Sequence, residues 1–477
     1  MRMPGWQTGG WALGWFSLFL CFSTTAMAGD TLSDVLKEKG VITKSDWNRI
    51  QADKEKEEAT KEKMIFSMGK NPPVKAGWGK KGFTLETTDG KFKTAIQWRF
   101  QGRFSYPDRS DEDGVMDFGD NPEATFELRR VRLKVGGHAY QPWIKHYLEV
   151  NWQTTSNSGS SPGSASLITW RFTLDKYKWA QLRIGQWKVN YNRERVDSSG
   201  KQQFVERSIV NTVFTLDRQM GAMLMGHLAP GTFADSWYHV GVLTGSGRGE
   251  ANDDDHLMWL SRFQWNFFGR DLKFSQSDIE YHENPTASIA FGAYTNIGKC
   301  TRWSSSGCGT LQSGFTTSLG SAYTSDSTAA DGQFRTDGMV EEFAMKWRGL
   351  SVQHEFHWKQ IKDTGAGVGL NGFGGTTAVM PSKTNLMGSY SQIGYFPHFL
   401  IPAVPKPFEV AFRYAFVDPN VQVANDTLQE FTGAINWFFA GHRNKLTLDA
   451  SHLSLATTTA PRDLTEQRVR LQWDVSF

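Results

Sequence analysis

Basic side chains recur at alternate positions in several short stretches of this 477-residue chain. Arg99 and Arg103 interleave with Trp98, Phe100 and Phe104; Arg130, Arg132 and Lys134 interleave with Val131, Leu133 and Val135. Lys145, Arg171 and Arg183 hold the same place in three later stretches. A β-strand sends successive side chains to opposite faces, so each stretch reads as one apolar face and one cationic face. A row of such cations offsets the hydration an anion loses in a narrow space, and arginine adds forked donors for carboxylate or phosphate oxygens. The chemistry indicated is weak, repeated anion binding. The competing interpretation is an ordinary wet-face network, with the same cations paired to Glu127, Glu149 or Glu206.

Catalytic chemistry finds less support. Gly159-Ser160-Ser161-Pro162-Gly163 spells a nucleophile elbow and Gly367-Val368-Gly369-Leu370-Asn371-Gly372 a dinucleotide fingerprint, but neither sits in the strand–turn–helix context that gives those motifs their function. His138, His146, His354 and His357 have no nucleophile and orienting partner readable from the sequence. The acidic groups Asp108, Asp111, Glu112, Asp113 and Asp253-Asp254-Asp255 read as solvated loop tips rather than cation sites. No catalytic residue, metal ligand or cofactor is expected.

The elements that must position the cations are strands. From residue 91 onward the period is two, and sixteen candidates follow, near 91–106, 126–139, 143–153, 166–175, 179–188, 218–228, 236–246, 256–267, 287–297, 336–348, 350–361, 385–396, 407–418, 427–439, 443–455 and 466–477. The last alternates Val469, Leu471, Trp473, Val475 and Phe477 with Arg468, Arg470, Gln472, Asp474 and Ser476. An edge strand with a wholly apolar face invites aggregation in water, whereas a closed membrane barrel removes the edge and gives that face lipid. A basic side chain facing lipid at mid-depth would cost roughly 2–4 kcal/mol, which directs the cationic faces inward. The fold class expected is therefore an all-β transmembrane antiparallel barrel, and the terminal Phe resembles the assembly signal of bacterial outer-membrane proteins.

Composition and targeting agree with export. Arg2, the apolar run from Trp11 to Phe22 and Ala26-Met27-Ala28 make residues 1–28 read as a signal peptide. No later stretch approaches the roughly 20 apolar residues of a spanning helix. Removing the signal leaves 51 basic against 49 acidic residues, a balance of +2 that gives no reason to expect nucleic acid. Residues 29–63 carry helix-like periodicity ending in Lys54-Glu55-Lys56-Glu57-Glu58, a charged, coiled-coil-like extension; 64–90, with Pro72-Pro73 and several glycines, read as linker. Cys300 and Cys308 flank a short polar loop, and in an oxidising compartment a disulfide is expected; metal binding is the rival, weakened by the lack of a nearby His or further Cys.

Connections alternate between tight ones, such as Arg348-Gly349 and Ala440-Gly441, and long polar ones near 107–123, 154–165, 247–255, 298–335, 362–384 and 456–465. Aromatic clusters at 265–268, 395–399 and 437–439 fall at strand ends, where an interfacial girdle belongs.

One ordered set of motifs is more specific. Phe126-Glu127-Leu128-Arg129-Arg130-Val131-Arg132-Leu133 precedes Leu182-Arg183-Ile184-Gly185-Gln186-Trp187-Lys188, then Phe204-Val205-Glu206-Arg207 and Asp217-Arg218-Gln219-Met220-Gly221. This set resembles the phosphate-selective porin O and P family of Gram-negative outer membranes. The resemblance implies a sixteen-stranded homotrimeric barrel in the outer membrane, in contact with lipid and lipopolysaccharide, whose pore passes small anions with phosphate or polyphosphate first. It also implies a folded-in loop, for which residues 189–217 are the candidate, with Arg193, Arg195, Lys201 and Arg207 among Glu194, Asp197 and Glu206. Lumen-phase aromatics such as Tyr147 leave open a sugar or organic-solute channel, and the long loops leave open a surface binding or adhesion barrel.

Overall fold

A computed structural model describes residues 43–49, 52–53, 74–79, 82–107, 124–152, 154, 163–304, 307–309, 331–364, 383–456 and 464–477. The signal peptide, most of the 29–63 extension, the 367–372 motif, the 159–163 motif apart from Gly163, and the Asp108–Asp113 acidic group lie outside them. Two compact units divide at residues 63 and 64. In the first, a helical stretch over 44–49 is opened by Thr43, whose backbone N and Oγ1 both donate to Asp46 Oδ2.

The second unit is a barrel. Its strands are β1 (Val74–Gly79), β2 (Gly82–Thr87), β3 (Lys93–Tyr106), β4 (Thr125–Ala139), β5 (Gln141–Trp152), β6 (Ala165–Tyr177), β7 (Ala180–Lys188), β8 (Arg218–Leu228), β9 (Ser236–Leu243) and β10 (Met258–Trp265). They continue with β11 (Thr286–Gly298), β12 (Arg302–Ser304), β13 (Gly307–Gly309), β14 (Phe334–Trp347), β15 (Leu350–Asp363), β16 (Lys383–Tyr395), β17 (Phe408–Asp418), β18 (Leu428–Phe438), β19 (Asn444–Leu455) and β20 (Leu464–Ser476). Sixteen of these pair antiparallel in sequence order from β3 to β20, and the ring closes where Val469 to Ser476 pair with Tyr106 to Arg99. The terminal strand thus closes on the strand carrying Arg99 and Arg103. Phe477 completes it: its N and O exchange hydrogen bonds with Trp98, and its ring stacks 5.9 Å from Phe100.

Burial is inverted relative to a water-soluble sheet. In β18, Glu430, Thr432 and Asn436 are buried while Phe431, Ile435 and Trp437 are exposed; in β20, Arg468, Arg470, Gln472 and Asp474 are buried while Val469, Leu471 and Trp473 are exposed. The polar side faces the interior and the apolar side faces out, the arrangement lipid stabilises. Exposed aromatics gather at the short-turn ends: Tyr140, Trp179, Phe233, Phe268, Trp347 and Phe439. No helix among the described residues is long and apolar enough to cross a membrane.

Two connections depart from simple loops. Part of the sequence read as linker is a β1–β2 hairpin, and β2 pairs with the first residues of β3 (Phe83 with Ile96), below the stretch that β20 occupies. The small strands β12 and β13 are tied by the Cys300–Cys308 disulfide, as expected from their spacing. Trp303 of β12 is fully buried, and its Nε1 donates to Gly245 O at 2.6 Å.

Candidate functional site

Between β7 and β8 the chain runs through the barrel interior over residues 189–217, forming two short helices, α1 (Arg193–Val196) and α2 (Ile209–Phe214). Backbone placed there needs partners for its N–H and C=O groups. Wall side chains supply them. Carboxylates of Glu355, Asp449 and Glu430 accept from the N–H groups of Glu194 (2.6 Å), Val205 (2.9 Å) and Ile209 (2.9 Å). Arg413, Asn436 and Lys359 donate to the carbonyls of Glu206 (3.1 Å), Gln203 (2.8 Å) and Val213 (3.0 Å), and Lys445 donates to that of Gln202. Helix α2 also buries Ile209, Val210, Val213 and Phe214 against Ile361, Leu386, Tyr390, Ala415 and Val417. The interior beside β15–β19 is therefore filled.

A second segment helps to fill it. Residues 266–285, joining β10 to β11 at the short-turn end, fold in beneath the first. Gln276 N donates to Lys201 O (3.0 Å), Gln203 N to Gln276 Oε1 (2.7 Å) and Ser277 Oγ to Glu409 Oε2 (2.9 Å). Phe274 lies under the guanidinium of Arg193, 4.7 Å from Cζ to the ring centre. The sequence carries no sign of this tuck, since polar residues of a loop read alike whether they meet water or a barrel wall.

What stays open lies along β4–β9. A cavity of about 620 Å³ is lined there by eight basic residues against two acidic ones, Glu149 and Asp271, a formal balance of +6. A second cavity of about 540 Å³ shares Lys134, Tyr147, Arg171, Gln181, Arg183 and Met225 with it and extends to Lys93, His138 and Lys145. Lys93 pairs with His138 near the short-turn end, so the two cavities form one passage along this wall.

The basic residues fall into two groups. Many are spent on carboxylates: Arg99 on Asp474 (2.9 Å), Arg103 and Arg130 on Glu206 (2.6 and 3.3 Å), Arg132 on Glu149 (3.2 Å) and Arg195 on Asp217 (2.6 Å). Lys145 pairs with Asp175, and Arg207 donates to the carbonyls of Glu194 and Asp197, both at 2.9 Å. Arg193 reaches Gln264, Ser288 and the Leu272 carbonyl. Arg99 additionally donates to Ser199 Oγ (3.0 Å) and passes so close to Gly200 that a Cβ there would sit 2.7 Å from its Cζ. The other group, Lys134, Arg171, Arg183, Lys188 and Lys201, lines the larger cavity with no salt bridge among the described residues. Arg183 donates to Asn190 Oδ1 (3.2 Å), and Arg171 lies over the Tyr147 ring (4.9 Å).

Of the residues singled out in the sequence, the passage thus collects Arg132, Lys134, Lys145, Arg171, Arg183 and Lys201, whereas Arg99, Arg103, Arg130, Arg193, Arg195 and Arg207 sit among the contacts that hold the two inner segments. Lys188, Arg218 and Lys273 line the cavity but were not singled out. Lys188 was hidden by register: it lies five residues after Arg183, a spacing that strict alternation sends to opposite faces. It is the last residue of β7, where the chain turns into the 189–217 segment, and its Nζ donates to Arg195 O at 3.1 Å. Asp253 is engaged by Ser246 Oγ and Lys299 N, leaving Asp255 exposed beside His256.

A closed sixteen-stranded barrel with a lipid-compatible exterior and a partly filled polar interior is the architecture of an outer-membrane porin. Residues 100–262 match the family model of the phosphate-selective porins O and P, which bears out the resemblance drawn from the Phe126–Leu133 and Leu182–Lys188 motifs. No curated protein matches the chain. Solved structures similar to it include the outer-membrane channel DcaP of Acinetobacter baumannii, at 11% identity over 80% of this chain and 97% of that one, with a TM-score of 0.48. Others are an anion-selective porin from Comamonas acidovorans (9%, 80% and 99%, TM-score 0.46) and OmpF of Salmonella typhi in complex with daunomycin (9%, 82% and 100%, TM-score 0.46). The chain is placed in the Gram-negative outer membrane.

Proposed function

We propose that this barrel is a passive porin for small hydrophilic anions, with phosphate or polyphosphate the first candidate. The observation that carries the reading is the set of five cations, Lys134, Arg171, Arg183, Lys188 and Lys201, that face one continuous passage without salt-bridge partners. An anion entering this space exchanges water for ammonium and guanidinium donors, while a cation meets a net positive lining. Several moderate sites in file, rather than one tight one, allow release as well as entry. The paired cations give this role its frame by holding residues 189–217 and so setting the bore.

The same reading takes residues 1–28 as the export signal, 29–63 as a periplasmic extension and the working unit as a homotrimer in lipid and lipopolysaccharide. Reversal potentials across planar bilayers under a KCl gradient test the central claim: chloride preference is expected, and potassium preference overturns it. Phosphate titrated into the chloride current then separates a phosphate channel, which blocks in the low millimolar range or below, from one that merely prefers anions. A surface binding barrel would show little conductance at all.

A further inference from the structure

The larger cavity has a second kind of wall. Opposite the cations of β4–β7 it is bounded by Met225 on β8, Trp237 on β9, and Leu272 and Phe274 of the 266–285 segment. Trp237 is held rather than loosely placed: its Nε1 donates to Asp271 Oδ1 at 3.1 Å, and its ring stacks 4.5 Å from His227 at 11°. Phe274 is fixed between the guanidiniums of Arg193 (4.7 Å) and Arg262 (5.7 Å). On the basic side, Tyr147 covers one face of the Arg171 guanidinium and leaves its N–H edge free to meet an oxyanion. The passage is amphipathic in cross-section.

An inorganic anion gains nothing from such a wall, because apolar side chains replace none of the water it sheds. A solute with a carboxylate at one end and a flat apolar body at the other gains on both sides: the carboxylate meets the unpaired cations and the body leaves water against Trp237 and Phe274. We infer that the β4–β9 passage is a subsite for aromatic carboxylates, favouring them over equally charged small anions. The inference rests on the anion-channel reading and names the substrate class it serves.

Single-channel chloride current through the full chain in planar bilayers, titrated with sodium benzoate and separately with sodium acetate, tests it without any substitution. Burying about 60 Å² of ring corresponds to half-block by benzoate at a roughly tenfold lower concentration than by acetate. Trp237→Ala is expected to reduce that advantage to about threefold or less, and Trp237→Phe to keep most of it. Equal block by the two acids in an anion-preferring channel overturns the inference and leaves the anion channel standing, as does a full benzoate advantage in Trp237→Ala. Potassium preference overturns both.

Discussion

Arg183→Ala isolates the electrostatic contribution of one unpaired cation. The side chain makes no salt bridge among the described residues and donates to Asn190 Oδ1 at 3.2 Å, so its loss strands no buried carboxylate. An ion passing about 6 Å from the guanidinium feels ~0.7 kcal/mol in a water-like dielectric, reduced by screening to ~0.4 kcal/mol at 0.1 M salt. The charge attracts the anion and repels the cation alike, so the effect on their permeability ratio is doubled. Removing it should lower the chloride-to-potassium ratio roughly three- to fourfold at 0.1 M, and by less than about 1.5-fold at 1 M, where the screening length is only ~3 Å. Reversal potentials at the two salt concentrations measure this, and Arg183→Lys should retain most of the wild-type ratio. An unchanged ratio at low salt, or an equal fall at both salts, would refute the claim that Arg183 acts as an unpaired charge on the conduction path.

Three further outcomes follow from the same contacts. Glu206→Gln removes the carboxylate that Arg103, Arg130 and Arg129 share (2.6, 3.3 and 3.5 Å), at a cost of about 3–5 kcal/mol for leaving buried cations uncompensated; larger and noisier single-channel currents are expected, and wild-type traces would contradict the clamp. Replacing Cys300 and Cys308 together by Ser should release about 2–3 kcal/mol of loop constraint and expose Trp303 to an aqueous fluorescence quencher, with the barrel's resistance to detergent unchanged. In the turn after β8, burial opposes the charge of Asp235, but hydrogen bonds from Asn266 Nδ2, Gly231 N and His227 hold its carboxyl below the usual range. A lowered carboxyl stabilises above its unfolded value, 3.8, and that contribution is lost as pH falls through the folded value. Cleavage in residues 229–235 should therefore begin only on acidification below about pH 4 in the wild type but already near neutrality in Asp235→Asn; equal protection of the two at neutrality would count against the hydrogen-bonded turn.

The barrel was legible because its physics is written in a period of two. Lipid outside and water inside demand alternation over a dozen residues at a time, and runs such as Phe431, Ile435 and Trp437 against Glu430, Thr432 and Asn436 cannot be mistaken for a half-buried soluble strand once sixteen of them recur. The inward direction of Arg99, Arg103, Arg130, Arg132 and Lys134 followed from the same rule. What alternation could not say was which inward cation meets water and which meets a carboxylate. Arg130 and Lys134 are four positions apart on one face, yet Arg130 is spent on Gln101 and Glu206, the latter 76 residues away, while Lys134 lines the passage with no salt bridge among the described residues. That division depends on where 189–217 and 266–285 settle, a tertiary fact carried by long-range contacts. Lys188 was lost for a local reason: it ends β7, and its side chain turns to the inner segment, where Nζ donates to Arg195 O.

The division also bears on the rigidity of a wet interior and, on the anion-channel reading, on its selectivity. A buried ion pair is costly to form and more costly to break, so carboxylates on β15, β18 and β19 that accept backbone N–H groups from 189–217 fix that segment in one place. Those carboxylates lie on the filled side, away from β4–β9. Had they been spread evenly around the ring, each would have cancelled a cation on the passage and the net charge felt by a solute would have fallen toward the chain's own near-neutral balance. Using these three carboxylates where the backbone needs acceptors leaves the larger cavity with only Glu149 and Asp271 against eight basic residues, and Lys134, Arg171, Arg183, Lys188 and Lys201 without a salt bridge among the described residues. On the anion-channel reading, selectivity would come from where the negative charges have been used up, more than from any excess of positive ones.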